Sequence, residues 1–158
     1  MSPKSKFGLR GRILKITPSS VYQEIVYTHD ILIELENYVK LRVCDAKMRC
    51  EQKNLGKVKN LHIIADNLSS IKKCEVIEPN IGPTKLIDTD PISTNAIISG
   101  QLEGIIFLGD DSRLSYGIVN VGVGKVALRL FKEQLEELKE GDYIHVDSVS
   151  LYLTDVES

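Results

Sequence analysis

Residues 31–43 read ILIELENYVKLRV, and their pattern decides the fold class. Apolar side chains fall at every second position, at Ile31, Ile33 and Leu35, then again at Val39, Leu41 and Val43. Period two belongs to a strand with one face in a core and the other in water. A three-residue loop at Asn37–Val39 pairs the two runs, with Leu35 opposite Leu41 and Ile33 opposite Val43. The same register sets Glu36 opposite Lys40 and Glu34 opposite Arg42. A slip of one residue would turn the whole apolar set to solvent, so the parity of the pairing is fixed.

The pattern extends in both directions. Upstream, Phe7, Leu9, Gly11 and Ile13 point one way while Lys6, Arg10 and Arg12 point the other, which predicts a first strand from Phe7 to Ile16. Thr17-Pro18-Ser19-Ser20 interrupts it, and residues 22–36 resume it. Downstream of Asp45, AKMRCEQKNLG predicts a short helix ended by Gly56. Residues 58–77 then give two more strands joined at residues 67–70. The first part of the chain thus reads strand, strand, strand, short helix, strand, strand.

Residues 79–95, PNIGPTKLIDTDPISTN, hold three of the five prolines and predict a linker. Beyond it the order repeats. Ile97–Leu108 predicts a long strand bent at Gly100 or Gly104, followed by a turn at Gly109–Ser112. Tyr116–Val121 and Val126–Leu130 form a hairpin over Gly122–Lys125. KEQLEELKE predicts a helix with Phe131, Leu135 and Leu138 on one face, stopped by Gly141. The run YIHVDSVSLYLTDVE supplies the closing strand or strands.

Three strands, a connecting helix and two further strands is the order of the five-stranded OB barrel. The stretch Leu138-Lys139-Glu140-Gly141-Asp142-Tyr143-Ile144-His145-Val146 resembles OB domains of the replication protein A and tRNA-anticodon-binding groups, in which a helix commonly ends in a Gly-Asp step that starts the fourth strand. The resemblance covers about residues 97–158. It is weaker over residues 7–78, where Leu55-Gly56-Lys57-Val58 lacks the acidic residue after Gly. It implies a mainly β protein of two consecutive OB-type barrels, each with a short helix between its third and fourth strands. The divisions expected are a basic N-terminal domain at 1–78, a linker at 79–95 and an acidic C-terminal domain at 96–158.

The charge distribution agrees with that division. Residues 1–85 carry 15 Lys/Arg against 9 Asp/Glu, whereas residues 86–158 carry 5 against 13. A basic half attracts phosphate backbones and an acidic half repels them. Cys44, Cys50 and Cys74 are too few and too scattered for a disulfide framework or a zinc site, and read as reduced thiols. The basic start of the chain lacks the apolar stretch of a secretory signal, and no apolar run has the roughly 20 residues of a membrane helix. The expected location is cytoplasmic, with no membrane contact.

OB domains of this kind bind single strands across the second and third strands, by cations that track the backbone and aromatics that stack on bases. The resemblance therefore directs attention to Lys6, Arg10, Arg12, Tyr38, Lys40 and Arg42 on the outward face of the first hairpins. Tyr22 and Tyr27 lie near the first loop, and Lys57 and Lys59 at the start of the fourth strand. Two readings of this face compete. It is either a groove for single-stranded DNA or RNA, or a charge ladder in which Glu34 and Glu36 neutralise Lys40 and Arg42. The corresponding face of the second half, Tyr116, Ile118, Asn120, Ala127, Arg129 and Phe131, is more apolar. It predicts contact with a protein partner or a second copy, with burial under the first half as the alternative. His29, His62 and His145 have no His or Cys neighbours at ligand spacing, and no nucleophile stands beside a base. The expectation is a non-enzymatic nucleic-acid-binding protein that needs no cofactor or metal. The rival is a scaffold that contacts proteins alone.

Overall fold

A computed structural model of the chain describes residues 7–67, 69–88, 90–107 and 115–157. The described residues are mainly β, with twelve strands and one short α-helix. The strands are β1 (Gly8–Tyr22), β2 (Ile25–Leu35), β3 (Lys40–Asp45), β4 (Val58–Asn67), β5 (Ile71–Cys74), β6 (Asn80–Pro83), β7 (Leu86–Ile87), β8 (Asp90–Pro91), β9 (Asn95–Phe107), β10 (Ser115–Asn120), β11 (Gly124–Leu130) and β12 (Tyr143–Glu157). The helix α1 covers Lys132–Glu137. No helix among the described residues is long and apolar enough to cross a membrane. Lys6 and the expected turn at Gly109–Ser112 lie outside the described residues.

Alternation works as the sequence dictates. Leu9, Gly11 and Ile13 are buried while Arg10 and Arg12 are exposed, and Ile31, Ile33, Leu35, Leu41 and Val43 all face inward. The β2–β3 pairing keeps the expected parity and loop length, but each β3 residue faces a β2 residue two positions earlier than expected. Ile33 is opposite Leu41, Glu34 opposite Lys40 and Leu32 opposite Arg42. The loop is Glu36–Tyr38, closed by the Leu35 N–H donating to Val39 O at 2.9 Å and the Tyr38 N–H donating to Leu35 O at 2.9 Å. Tyr38 takes the left-handed conformation, φ 68°, that ends a three-residue hairpin of this type. The second hairpin, unlike the first, is shorter than expected. Val121 N–H donates to Gly124 O, leaving Gly122-Val123 as the turn, with Gly122 at φ 96°.

The helix expected after Asp45 is only a 3₁₀ turn at Gln52–Asn54. The fully buried Asp45 carboxylate explains this: it accepts the Arg49 N–H at 2.8 Å and the Cys50 N–H at 2.7 Å. That holds residues 46–50 in an open loop that competes with a helical turn.

The connectivity departs from the expected order in one decisive respect. Ten strands form a continuous sheet through which two closed circuits can be traced. One runs β1–β2–β3–β12–β4 and back to β1, with β3 and β12 parallel at Cys44 and Tyr152. The other runs β9–β10–β11–β4–β12 and back to β9, with β11 and β4 parallel at Ala127–Ile64 and Leu128–Ala65. Both circuits contain β4 and β12. Val58–Leu61 of β4 pairs with β1 of the first circuit, while Ile64 and Ala65 reach β11 of the second. Tyr143–Ser150 of β12 pairs with β9, and the rest of the strand returns to the first half. Each half therefore takes its fifth strand from the other.

The segment expected as the first half's fifth strand, now β5, instead pairs with Tyr143–Val146 of β12. Its place is taken by the chain end, where β12 continues unbroken to Glu157. The apolar interior follows the strands: Ile13, Ile33, Leu41 and Val43 belong to one buried cluster with Val121, Val126, Leu128, Leu138 and Val146. Residues 79–95, expected as a bare linker, contain β6, which joins the sheet beside β9, and the separate β7–β8 hairpin. Gly100 lets β10 approach closely, because a Cβ there would run into the Asn120 carbonyl oxygen, and the irregularity of β9 against β10 lies between Leu102 and Gly104.

Candidate functional site

The outward face of β1, β2 and β3 presents Arg10, Arg12, Lys40 and Arg42 as the sequence places them, and each of these four has a partner. Arg10 faces Glu36 at 3.7 Å, Lys40 faces Asp90 of β8 at 3.3 Å and Arg42 faces Asp30 at 3.9 Å. Arg12 donates through Nη1 to the Gly56 carbonyl at 2.7 Å. The partners differ from the expected Glu34–Arg42 and Glu36–Lys40 pairs, because the two-residue register change moves Arg42 away from Glu34. The face is nonetheless a checkerboard. Among the described residues, Lys57 and Lys59 have no ion-pair partner. Burial raises the carboxyl of Asp30 above its ordinary range, against the opposing pull of Arg42.

The tyrosines do not converge. Tyr38 is 82% exposed at the β2–β3 turn, whereas Tyr22 and Tyr27 lie at the far end of the β1–β2 ladder. At ~3.3 Å per residue the two groups stand roughly 25 Å apart. Tyr38 borders a shallow cleft of about 210 Å³ lined by Arg10, Arg12, Glu34, Glu36 and Val58, and on its other side a cleft of about 450 Å³ with Val39, Lys40, Pro83, Leu86 and Asp88. The β1–β2 arm around Tyr22 and Tyr27 also exposes Val21 and Ile25, and its turn holds Gln23 and Glu24 at φ 49° and 66°.

In the second half the expected interface divides. Tyr116 and Ile118 are buried, forming a small cluster with Phe7, Ile106 and Ala127 against the half-buried Ile64. This corrects their assignment to an open surface: the first half covers them through Phe7 and Ile64. Burial raises the Tyr116 phenol above its ordinary range. Asn120 is occupied locally, accepting the Gly122 N–H at 2.9 Å. Phe131 remains exposed, with the Arg129 guanidinium 5.3 Å from its ring centroid.

Each histidine holds a carboxylate, which spacing arguments about metal ligands did not detect. His29 and Asp45 are 2.8 Å apart and buried. His62 lies 3.0 Å from Glu157, and the Phe7 ring meets it edge-on. His145 bridges Ser99 at 2.6 Å and Asp147 at 2.7 Å. Of these only the His145–Asp147 pair carries a sequence signal, since residues two apart share a strand face. Its hydrogen bond to His145, with Lys72 assisting, holds Asp147 below the usual carboxylate range. Asn60 and then His62 do the same for Glu157. Burial, reinforced by Asp45, pushes the Cys50 thiol up to about 11. No group of three His, Cys, Asp or Glu among the described residues could hold a metal ion. Neither protein-family models nor curated proteins nor solved structures give a match to this chain.

Proposed function

We propose that this chain is a non-catalytic binding module of two OB-type barrels that exchange their fifth strands, and that it serves as an assembly scaffold contacting a protein partner. The OB assignment is supported by the parallel pairing of the third and fifth strands in both circuits and by a turn or helix before each fourth strand. One observation carries the scaffold assignment: Arg10, Lys40 and Arg42 each face a carboxylate, and Arg12 is spent on a backbone carbonyl. A phosphate would have to displace those partners, and a sheet face that neutralises itself is a poor track for a polyanion. The exposed Tyr38, and Phe131 with Arg129 over its ring, are groups of the kinds enriched at protein interfaces.

A second function, contact with single-stranded DNA or RNA, is favoured by the pair Lys57 and Lys59, which have no ion partner among the described residues, and by the exposed Tyr22 and Tyr27. A salt titration with labelled single and double strands separates the two. The scaffold predicts no binding that weakens systematically with salt. A log–log slope of about −0.7 for each neutralised phosphate, reduced by replacing Lys57 and Lys59, would establish the nucleic-acid function instead.

A further inference from the structure

We propose that the chain forms a strand-exchanged dimer with a second copy of itself, opening at the β7–β8 hairpin. Two features combine. Residues up to Pro83 and residues from Asn95 onward are mutually complementary surfaces, joined by β4 against β11 and β12, β12 against β3, β5 against β12, and β6 against β9. A second copy supplies every one of these pairings unchanged. Only the connection between β6 and β9 must differ in the dimer.

That connection has the properties of a hinge. The β7–β8 hairpin pairs only with itself, outside the ten-stranded sheet. It is closed by the Thr84 N–H donating to Asn95 O and the Ile92 N–H donating to Lys85 O, both at 3.3 Å. Leu86, Ile87 and Ile92 are exposed and Pro91 alone of the β7–β8 strand residues is buried, so folding the hairpin back shelters little apolar surface. Asp88 sits at φ 57°, a left-handed conformation that an extended connection would release. One ion pair, Lys40–Asp90, ties the hairpin to β3. Straightened, residues 84–94 span roughly 35 Å, enough to carry the second half to another copy. The occupant is a second copy because the surface offered is the existing contact between the halves, which only this sequence complements.

The test uses the full chain, refolded from denaturant at low and at high protein concentration and sized by light scattering after chromatography. High concentration is expected to give a dimer that, once isolated and diluted, persists for hours because exchange requires opening both halves. Asp88→Gly, which accommodates the closed turn, is expected to favour the hairpin about fivefold at each hinge and lower the dimerisation constant about 25-fold. A chain lacking residues 84–94 leaves one residue between Pro83 and Ala96, too short to reverse direction, and is expected to be dimeric even when refolded dilute. A wild-type chain that stays monomeric at every refolding concentration would overturn the proposal. So would a dimer that dissociates within minutes of dilution, or one that Asp88→Gly leaves unchanged.

Discussion

Tyr152, in the last strand of the chain, stands in parallel register beside Cys44 of the third. The other side of the same strand pairs antiparallel with β4, Leu151 facing Ala65. The C-terminal residues thus close the N-terminal half, and Leu151, fully buried, sits where the two circuits meet. Leu151→Ala is expected to cost about 2–5 kcal/mol, the usual range for truncating a buried leucine. Urea unfolding followed by circular dichroism checks it, with one transition expected rather than two.

Asp45 is the buried organiser of the loop after β3. Asp45→Ala removes the acceptor of the Arg49 and Cys50 N–H groups and the partner of His29 together. A loss of about 3 kcal/mol is expected, because unpaired buried donors cost more than the bonds themselves contribute. Asp45→Asn, which keeps one acceptor oxygen, should recover part of it.

Much of the fold was legible in the sequence because alternation is a local property. The inward sets of β1, β2 and β3 and the hairpin of β10 and β11 follow from residues within a few positions of one another, whereas the helix after Phe131 ends at Glu137, short of the stop expected at Gly141. The origin of each fifth strand does not. Cys44 and Tyr152 are more than a hundred residues apart, and nothing in YIHVDSVSLYLTDVE marks where β12 leaves one circuit for the other. The site was legible to a similar degree. The outward placement of Arg10, Arg12, Lys40 and Arg42 follows from parity, but the carboxylate partners Glu36, Asp90 and Asp30 depend on a register and on a distant hairpin. Tyr116 and Ile118 face outward from their own hairpin, and only the placement of Phe7 and Ile64 covers them.

That coverage separates two kinds of variant. Ile118→Ala, at a buried position, is expected to lower stability by about 2–5 kcal/mol. Phe131→Ala, at a half-exposed position beside Arg129, should change stability by roughly 0.5 kcal/mol or less while weakening assembly with a partner. Thermal unfolding of both variants distinguishes the roles. A large loss for Phe131→Ala and none for Ile118→Ala would reverse the assignment.

Stability should fall at both ends of the pH range, for opposite reasons. Asp147 and Glu157 have carboxyls held below their ordinary values of 3.8 and 4.5, so the stability they contribute is complete above those values and lost as pH falls through the lower folded ones. Cys50 is raised from 9.0 to about 11, so its contribution is complete below 9 and is lost as pH rises towards 11. Asp147→Asn should flatten the acid limb of a stability–pH curve, and Cys50→Ser the alkaline one. Curves of unchanged shape for both variants would count against these attributions.

The sharing of β4 and β12 makes the halves one cooperative unit, and hydrogen exchange tests this most directly. Leu128→Ala creates a cavity in β11, a strand of the second circuit that meets the first through β4 and at its Gly124–Lys125 end through β1, and should cost about 2–5 kcal/mol. Amide exchange by mass spectrometry or NMR is then compared with wild type for β2, in the first circuit, and β10, in the second. Because the most protected amides exchange through global opening, both strands should lose protection by the same factor, about 30-fold or more. Protection in β2 that stays at the wild-type level while β10 alone becomes labile would contradict the exchange of strands between the halves.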